Sequence, residues 1–303
     1  MRRSDFSGPD DLRAMQAMCS RLWTPTARFH PGQLAWSRHH QPVDPLRPAA
    51  GEAISLWRDG DDVVGFGWAE APDWLEFQLD PARPDLAEEM LGWFEDWSEA
   101  ETQSALLMEG DPAEPAFAAA GFEPEVDGPF FVHHLLDLAR LPEAPSVAGF
   151  SFRPVEPSEA QPRSACHVLS WSDVGASPLT PAAYGALMET WPYQHDLDWV
   201  AVDDHNGSDD GSDDEMVASA LVWLDPSLGV GLLEPVGCVP AHRGHGLASA
   251  VSLAALHRLR DLGAHTALVT PRGDAASPGP QRLYQRIGFR PGARTVTWTR
   301  SLD

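Results

Sequence analysis

Cysteine is scarce in this chain: three in 303 residues, at Cys19, Cys166 and Cys238, with no C-x-x-C pair. That excludes a disulfide framework and a cysteine zinc site, and it points to a reducing compartment. Long apolar runs are missing as well. No stretch approaches the roughly 18–20 apolar residues of a membrane span. The opening Met-Arg-Arg-Ser-Asp has no apolar region behind it, so no signal peptide is expected and the chain reads as cytoplasmic. Basic residues are few. Lys and Arg number 21 against 45 Asp and Glu, a net charge of −24. Nucleic acids and anionic membranes recruit clustered Lys and Arg, so neither is an expected partner. The acidity suits a cationic or amine substrate, and equally a solubility requirement or a salt-adapted host.

What is present is core-forming material, with 43% hydrophobic residues and twelve Trp, enough for one large or two ordinary domains. A break falls at 141–149, Leu-Pro-Glu-Ala-Pro-Ser-Val-Ala-Gly, which has the composition of an interdomain linker. It separates a first half, 1–140, from a second, 150–303.

The halves repeat one order of elements. Each opens with a helix-like segment, Asp11 to Trp23 or Pro157 to Trp171. A hairpin-like pair follows, Ala53–Trp57 with Val63–Trp68, or Asp198–Val202 with Met216–Trp223. Next come a strand ending at Pro81 or Pro240, a helix, and a strand at Ser104–Met108 or Ala264–Thr270. Each half then reaches Gly-Phe, at Gly121-Phe122 or Gly288-Phe289, and closes on an alternating strand, Phe130–Leu138 or Ala293–Thr299. Strands interleaved with helices predict an α/β fold with a mixed sheet in each half. Between the second-half hairpin strands, 203–215 holds seven acidic residues and no basic one. It lacks the spacing of a calcium loop and reads as a solvated insertion.

The most informative run is Pro240-Ala-His-Arg-Gly-His-Gly-Leu-Ala248, between the strand-like Val236–Val239 and a helix-like segment from Leu247 to Leu259. Two glycines at a strand-to-helix junction let backbone N–H groups approach an anion, and the helix adds its positive end.

Arg243-x-x-Gly246-x-Ala248 resembles the acyl-CoA loop of the GCN5-related N-acetyltransferases, the GNAT superfamily. The strand Glu234–Pro240 before it, the strand Ala267–Thr270 after it, and Leu283-Tyr284-x-x-x-Gly288-Phe289 resemble the same family in the same order. The resemblance covers about residues 150 to 303. It implies two tandem GNAT-like domains, each a mixed, mostly antiparallel sheet flanked by helices, similar to tandem proteins such as mycothiol synthase. It further implies acetyl-CoA as co-substrate, held by Val236, Cys238, Val239, Arg243, Gly244, His245, Gly246, Leu247, Ala248 and Tyr284, with no metal. The chain departs from the family in two places. Cys238 stands where Val is usual, and Ser277-Pro-Gly-Pro280 stands where an Asn and an Ala are usual.

The first half keeps the order but not the loop. Counting from Pro81 and Pro240, Pro84, Asp85, Ala87 and Glu89 replace Arg243, Gly244, Gly246 and Ala248, and Phe117 replaces Tyr284. Proline removes a donor, and acidic groups repel a pyrophosphate. The first half is expected not to bind acetyl-CoA.

Acyl transfer to an amine needs a base, a donor for the developing oxyanion and a proton for the departing thiolate. Glu234 is the only carboxylate in the strand leading to the loop, among apolar residues that would raise its pKa toward a useful base; the alternative is a structural ion pair or an edge residue. Alternation puts Glu234, Val236 and Cys238 on one face. The resemblance implies that a main-chain N–H on this strand polarises the thioester carbonyl, that Tyr284 is the general acid, and that the amine attacks directly in a ternary complex. Cys238 is read as a small buried side chain, with a covalent nucleophile as the alternative. His242 and His245 would line phosphate oxygens, and Arg243 would contact a phosphate or brace the loop. Trp171, Trp191, Trp199 and Trp223 are core residues by default, with an acceptor pocket as the alternative. Relatives place their acceptor-binding helices where this chain has Trp171 to His195. The leading expectation is an N-acetyltransferase acting on a small amine, as a monomer or homodimer. The competing one is an acyl-CoA sensor without turnover.

Overall fold

The computed structural model describes every residue except 42, 43, 45, 205–214, 275–277 and 303. Most of the acidic insertion, and Ser277, therefore lie outside the described residues. The first half runs β1 (Arg2–Asp5), α1 (Pro9–Leu22), α2 (Pro31–His39), β2 (Glu52–Asp59), β3 (Asp62–Glu70), β4 (Trp74–Leu79), α3 (Leu86–Trp97), β5 (Thr102–Met108), α4 (Glu114–Ala119), β6 (Glu123–Pro124) and β7 (Val132–Asp137). The second runs β8 (Phe150–Pro154), α5 (Ala160–Ser170), α6 (Pro181–Met188), β9 (Asp198–Asp203), β10 (Met216–Asp225), β11 (Val230–Cys238), α7 (Leu247–Asp261), β12 (Thr266–Val269), α8 (Pro278–Ile287) and β13 (Arg290–Ser301). Proline opens α1, α2 and α6, at the position where a missing N–H costs no hydrogen bond. Pro278 likewise stands at the start of α8.

The strands join in one sheet, in the order β1-β2-β3-β4-β5-β13-β7-β12-β11-β10-β9-β8, with β6 on β13. Pairing is antiparallel except at β4–β5 and β11–β12. The repeat of elements is present, but the closing strands are exchanged. β7, the last strand of the first half, pairs with β12 of the second. β13, the last strand of the second half, pairs with β5 of the first through Thr295–Ser301. Each half was expected to close on its own last strand, and neither does. The reason is in β13 itself. Its first residues, Arg290 to Arg294, pair with β7, and a register shift then passes its remainder to β5. A cut at 141–149 therefore does not separate two sheets.

The cores are exchanged with the strands. Leu136 and Leu138, from the end of the first half, are buried beneath α7 with Val251, Leu256 and Phe289. Trp298, from the end of the second half, is buried with Trp57, Phe94 and Phe117 between the first sheet and α3. α2 also crosses over: Ala35 and Trp36 pack with Tyr184, Leu187 and Trp223 against the second half. At roughly 25 cal/mol per Å² of apolar surface removed from water, such shared cores bind the halves into one folding unit.

Candidate active site at the opening of the second parallel strand pair

β11 and β12 pair only through Val230–Thr266, Gly231–Ala267 and Leu232–Leu268. β11 continues to Cys238 while β12 ends at Val269, so one edge of β11 is open beyond Leu232. The other edge stays on β10, with a register slip: Ala220 faces Val236 but Val222 faces Leu233. One extra residue, at Glu234-Pro235, bulges opposite Leu221. The bulge corrects the simple alternation. Leu233, Val236 and Cys238 all pack toward the core beneath α7, while Leu232 packs with the opposite core. Glu234 sits at the bulge, where the strands part.

The Oε2 of Glu234 is buried and has no hydrogen-bond partner among the described residues. Burial pushes its pKa up to about 7, with the charge of Arg28 pulling the other way. Tyr284 projects from α8, its ring edge-on to Phe289 at 5.8 Å. Burial, and then the charge of Glu234, push its pKa above the ordinary tyrosine value. The other two tyrosines are committed elsewhere. The hydroxyls of Tyr184 and Tyr193 donate to Asp198 at 2.5 and 3.0 Å, and Asp198 also accepts from the buried Arg163. Among the described residues only the Tyr284 hydroxyl is without such a bond. Burial pushes the Cys238 thiol up to about 11, so it is a thiol rather than a thiolate at neutral pH and a poor nucleophile. Its backbone is placed differently. The N–H of Val239 donates to Val217 on β10 at 2.9 Å. Amides alternate along a strand, so the N–H of Cys238 points to the open edge.

The loop after β11 turns through Pro240–His242 and passes Gly244 and Gly246, with φ of +87° and +83°. Side chains rarely adopt this backbone, which explains both glycines. A Cβ at either would meet no atom within 4 Å, so the outer side of the cradle is open. Gly246 caps α7 without a side-chain bond, leaving the first amides of the helix free for an anion. Arg243 braces the loop from behind. Its guanidinium donates to the carbonyls of Cys238 at 3.1 Å and Ser170 at 2.8 Å, and to Asp173 at 2.6 and 2.9 Å. His242 turns to Asp203 at 3.4 Å, and His245 reaches the His242 carbonyl at 3.1 Å. The residues present suit a pyrophosphate held by the backbone from Gly244 to Ala248, with the Leu247 side chain anchored in the core. Among the described residues no cluster of three or more His, Cys, Asp or Glu is placed to hold a metal ion.

The first half has a matching opening. β4 and β5 pair only at Trp74–Ser104 and Leu75–Ala105, so Glu76 stands just beyond the split, as Glu234 does in the second half. There the likeness stops. β3 and β4 run in register past Glu76 without a bulge. Glu76 is occupied, accepting from Arg28 at 2.6 Å and from the Trp74 indole at 3.2 Å. Beyond Pro81, Arg83 closes on Asp85 at 2.7 Å.

The segment Trp171 to His195 holds little free functionality. Trp171 stacks on His167 at 4.3 Å and covers Gly237. Trp191 lies under the Arg13 guanidinium at 3.6 Å, Trp223 is a core residue donating to the Glu234 carbonyl at 2.6 Å, and Trp199 bonds the Asp196 carbonyl. Sequence reasoning missed Glu76 and its ion pair with Arg28. Counting back from Pro81 and Pro240 pairs Glu76 with the Glu234-Pro235 step.

Residues 170–289 match the family model described as the acetyltransferase (GNAT) family. No protein of curated function matches the sequence. Among solved structures, a GCN5-related N-acetyltransferase from Sphaerobacter thermophilus is similar at TM-score 0.59 and 17% identity, over 99% of this chain and 96% of that one. A tandem GNAT protein from the clavulanic acid biosynthesis pathway is similar at 0.60 and 20%, over 100% and 98%. A GNAT-family acetyltransferase from Colwellia psychrerythraea reaches 0.59 and 12%, over 99% and 100%. The open strand edge, the glycine cradle and these likenesses agree: residues 170–289 match the GNAT acetyltransferase family model, in a chain whose fold is similar to that of a tandem GNAT protein.

Proposed function

We propose that this protein transfers an acetyl group from acetyl-CoA to a primary amine of a small molecule, and that the chemistry occurs only in the second half. The observation that carries this reading is half-buried Glu234 at the open edge of β11, with its Oε2 buried and unpartnered among the described residues and its charge acting on Tyr284. The backbone from Gly244 to Ala248 holds the pyrophosphate, and Val236, Cys238 and Val239 run alongside the pantetheine arm. Glu234 takes a proton from the substrate ammonium, which leaves a lone pair for direct attack on the thioester carbonyl. The Cys238 N–H faces the oxygen on which charge develops. As the C–S bond breaks, the Tyr284 hydroxyl, kept protonated at any working pH, donates to the departing sulfur, and its phenolate is reprotonated by the second proton lost from the nitrogen as the amide forms. The first half holds no acetyl-CoA, because its glutamate is bound by Arg28 and its loop lacks the glycine cradle.

The test is release of free thiol from acetyl-CoA across a panel of small amines. The chain contains no lysine, so acetylation of its own side-chain amines cannot imitate turnover. Release with an amine that becomes acetylated supports the reading. Measurable acetyl-CoA binding with no release for any amine supports a sensor instead.

A further inference from the structure

We propose that Trp223 is a positioning residue for Glu234, and that the first half holds Trp223 in place through Gly32. What Glu234 does rests on the acyl-transfer reading; how Glu234 is held rests on geometry alone. Where β10 and β11 slip register, Leu221 faces the extra residue at Glu234-Pro235. The ladder of hydrogen bonds is locally disrupted at a bulge, and Pro235 has no N–H to give to it. Trp223 supplies a donor there: its indole Nε1 is 2.6 Å from the Glu234 carbonyl oxygen. Trp223 is the partner of Leu232 across the two strands and is fully buried. An indole has a single donor, fixed in the plane of its ring. The position of the ring therefore sets the Glu234 carbonyl, and with it the direction in which the Glu234 side chain leaves the strand.

Both halves grip that ring. Gly32, in the first turn of α2, lies directly against it: a Cβ at Gly32 would stand 2.1 Å from the Trp223 Cβ and 2.3 Å from its Cγ. Only a glycine lets α2 come so close. The Gly32 segment is itself tied down on two sides. His30 accepts from the Gly32 N–H at Nδ1, 3.1 Å away, and so donates from Nε2 to the Val230 carbonyl of β11 at 3.3 Å. Gln16 of α1 donates to the Pro31 carbonyl at 3.2 Å and to the Trp191 carbonyl at 2.8 Å. From the second half, the Tyr193 ring meets Trp223 edge-on at 6.2 Å, and the Tyr193 hydroxyl is held by Asp198 at 3.0 Å. The indole thus stands between α2 and Tyr193, and its hydrogen bond ends at the bulge that carries Glu234. The first half takes part in turnover through this contact, without a ligand of its own.

The test compares Trp223→Phe, which removes the N–H, with Trp57→Phe. Trp57 is fully buried in the first-half core, and its indole N–H has no partner among the described residues. For an accepted amine, kcat is expected to fall about 10- to 100-fold in Trp223→Phe and to stay within about twofold in Trp57→Phe. Acetyl-CoA affinity should stay within about threefold in both, because the coenzyme is held by the loop beyond the end of β11. Benzothienylalanine at position 223 puts a sulfur where the N–H stood and keeps the shape of the ring. It should lose kcat to the same degree, and it carries the test if Trp223→Phe does not fold. A second readout needs no substrate. The indole N–H resonance that disappears in Trp223→Phe should be protected from exchange in the parent, and Gly32→Ala should shift it and speed its exchange. Unchanged kcat in the folded Trp223 variants, or a loss no larger than in Trp57→Phe, overturns the proposal, as does an indole proton that exchanges freely. A protein that turns over no amine but shows the protected, Gly32-dependent indole proton keeps the hold of the first half on the bulge and loses only the acyl-transfer reading.

Discussion

Glu234 is favoured by folding in its neutral form, and this has two consequences at the scale of one residue. Its folded pKa of about 7 lies above the ordinary value, so the protonated state is the stable one inside. Its contribution to stability is fully present at acidic pH and is lost as pH rises toward 7. Glu234→Gln should therefore stabilise the protein by on the order of 2–3 kcal/mol above pH 7.5 and by nothing near pH 4, read as melting temperature against pH. The same substitution should lower kcat/KM about 10²- to 10⁴-fold if it removes the base. Tyr284→Phe deletes a hydroxyl with no partner among the described residues, so stability should change by under about 1 kcal/mol while kcat falls at least tenfold. Both side chains were legible in the sequence, from the apolar strand around one and the Leu-Tyr-x-x-x-Gly-Phe segment around the other. The bulge was not. Nothing in Leu-Leu-Glu-Pro-Val announces that two residues will face one, and alternation gave Glu234 the wrong neighbours.

At the scale of elements, the cradle and the exchanged strands make separate predictions. Gly246 has φ +83° and open space beyond it, so Gly246→Ala should cost about 1 kcal/mol through backbone strain alone. Acetyl-CoA affinity, measured by calorimetry, should fall more than tenfold as the first amides of α7 move. Trp298 belongs to β13 but is buried against Trp57 and Phe94. Trp298→Ala should destabilise the protein by about 3–5 kcal/mol in denaturant unfolding, although the residue lies in the sequence of the other half. Strand existence was readable here from alternation in 130–138 and 293–299. Strand partners were not, because a strand's pattern fixes which face is buried and is indifferent to which neighbour bonds its edge.

At the scale of the whole molecule, the reading proposed above puts the chemistry in one half, while the other half completes its sheet and core. The division at 141–149 was legible as composition, and it is a division of sequence rather than of structure. Residues 150–303 alone would leave the β12 edge bare and remove Leu136 and Leu138 from their core. That fragment should be insoluble or unfolded by itself, and co-expression with 1–149 should restore a soluble complex that binds acetyl-CoA. The central claim is that a half-buried glutamate, its Oε2 enclosed at the opening of β11, drives amine acylation. The most direct measurement is the pH profile of kcat/KM for an accepted amine, compared with Glu234→Gln. A rise with a midpoint near 7 is expected in the unsubstituted protein and none in the variant. Identical profiles and rates in the two proteins would contradict it.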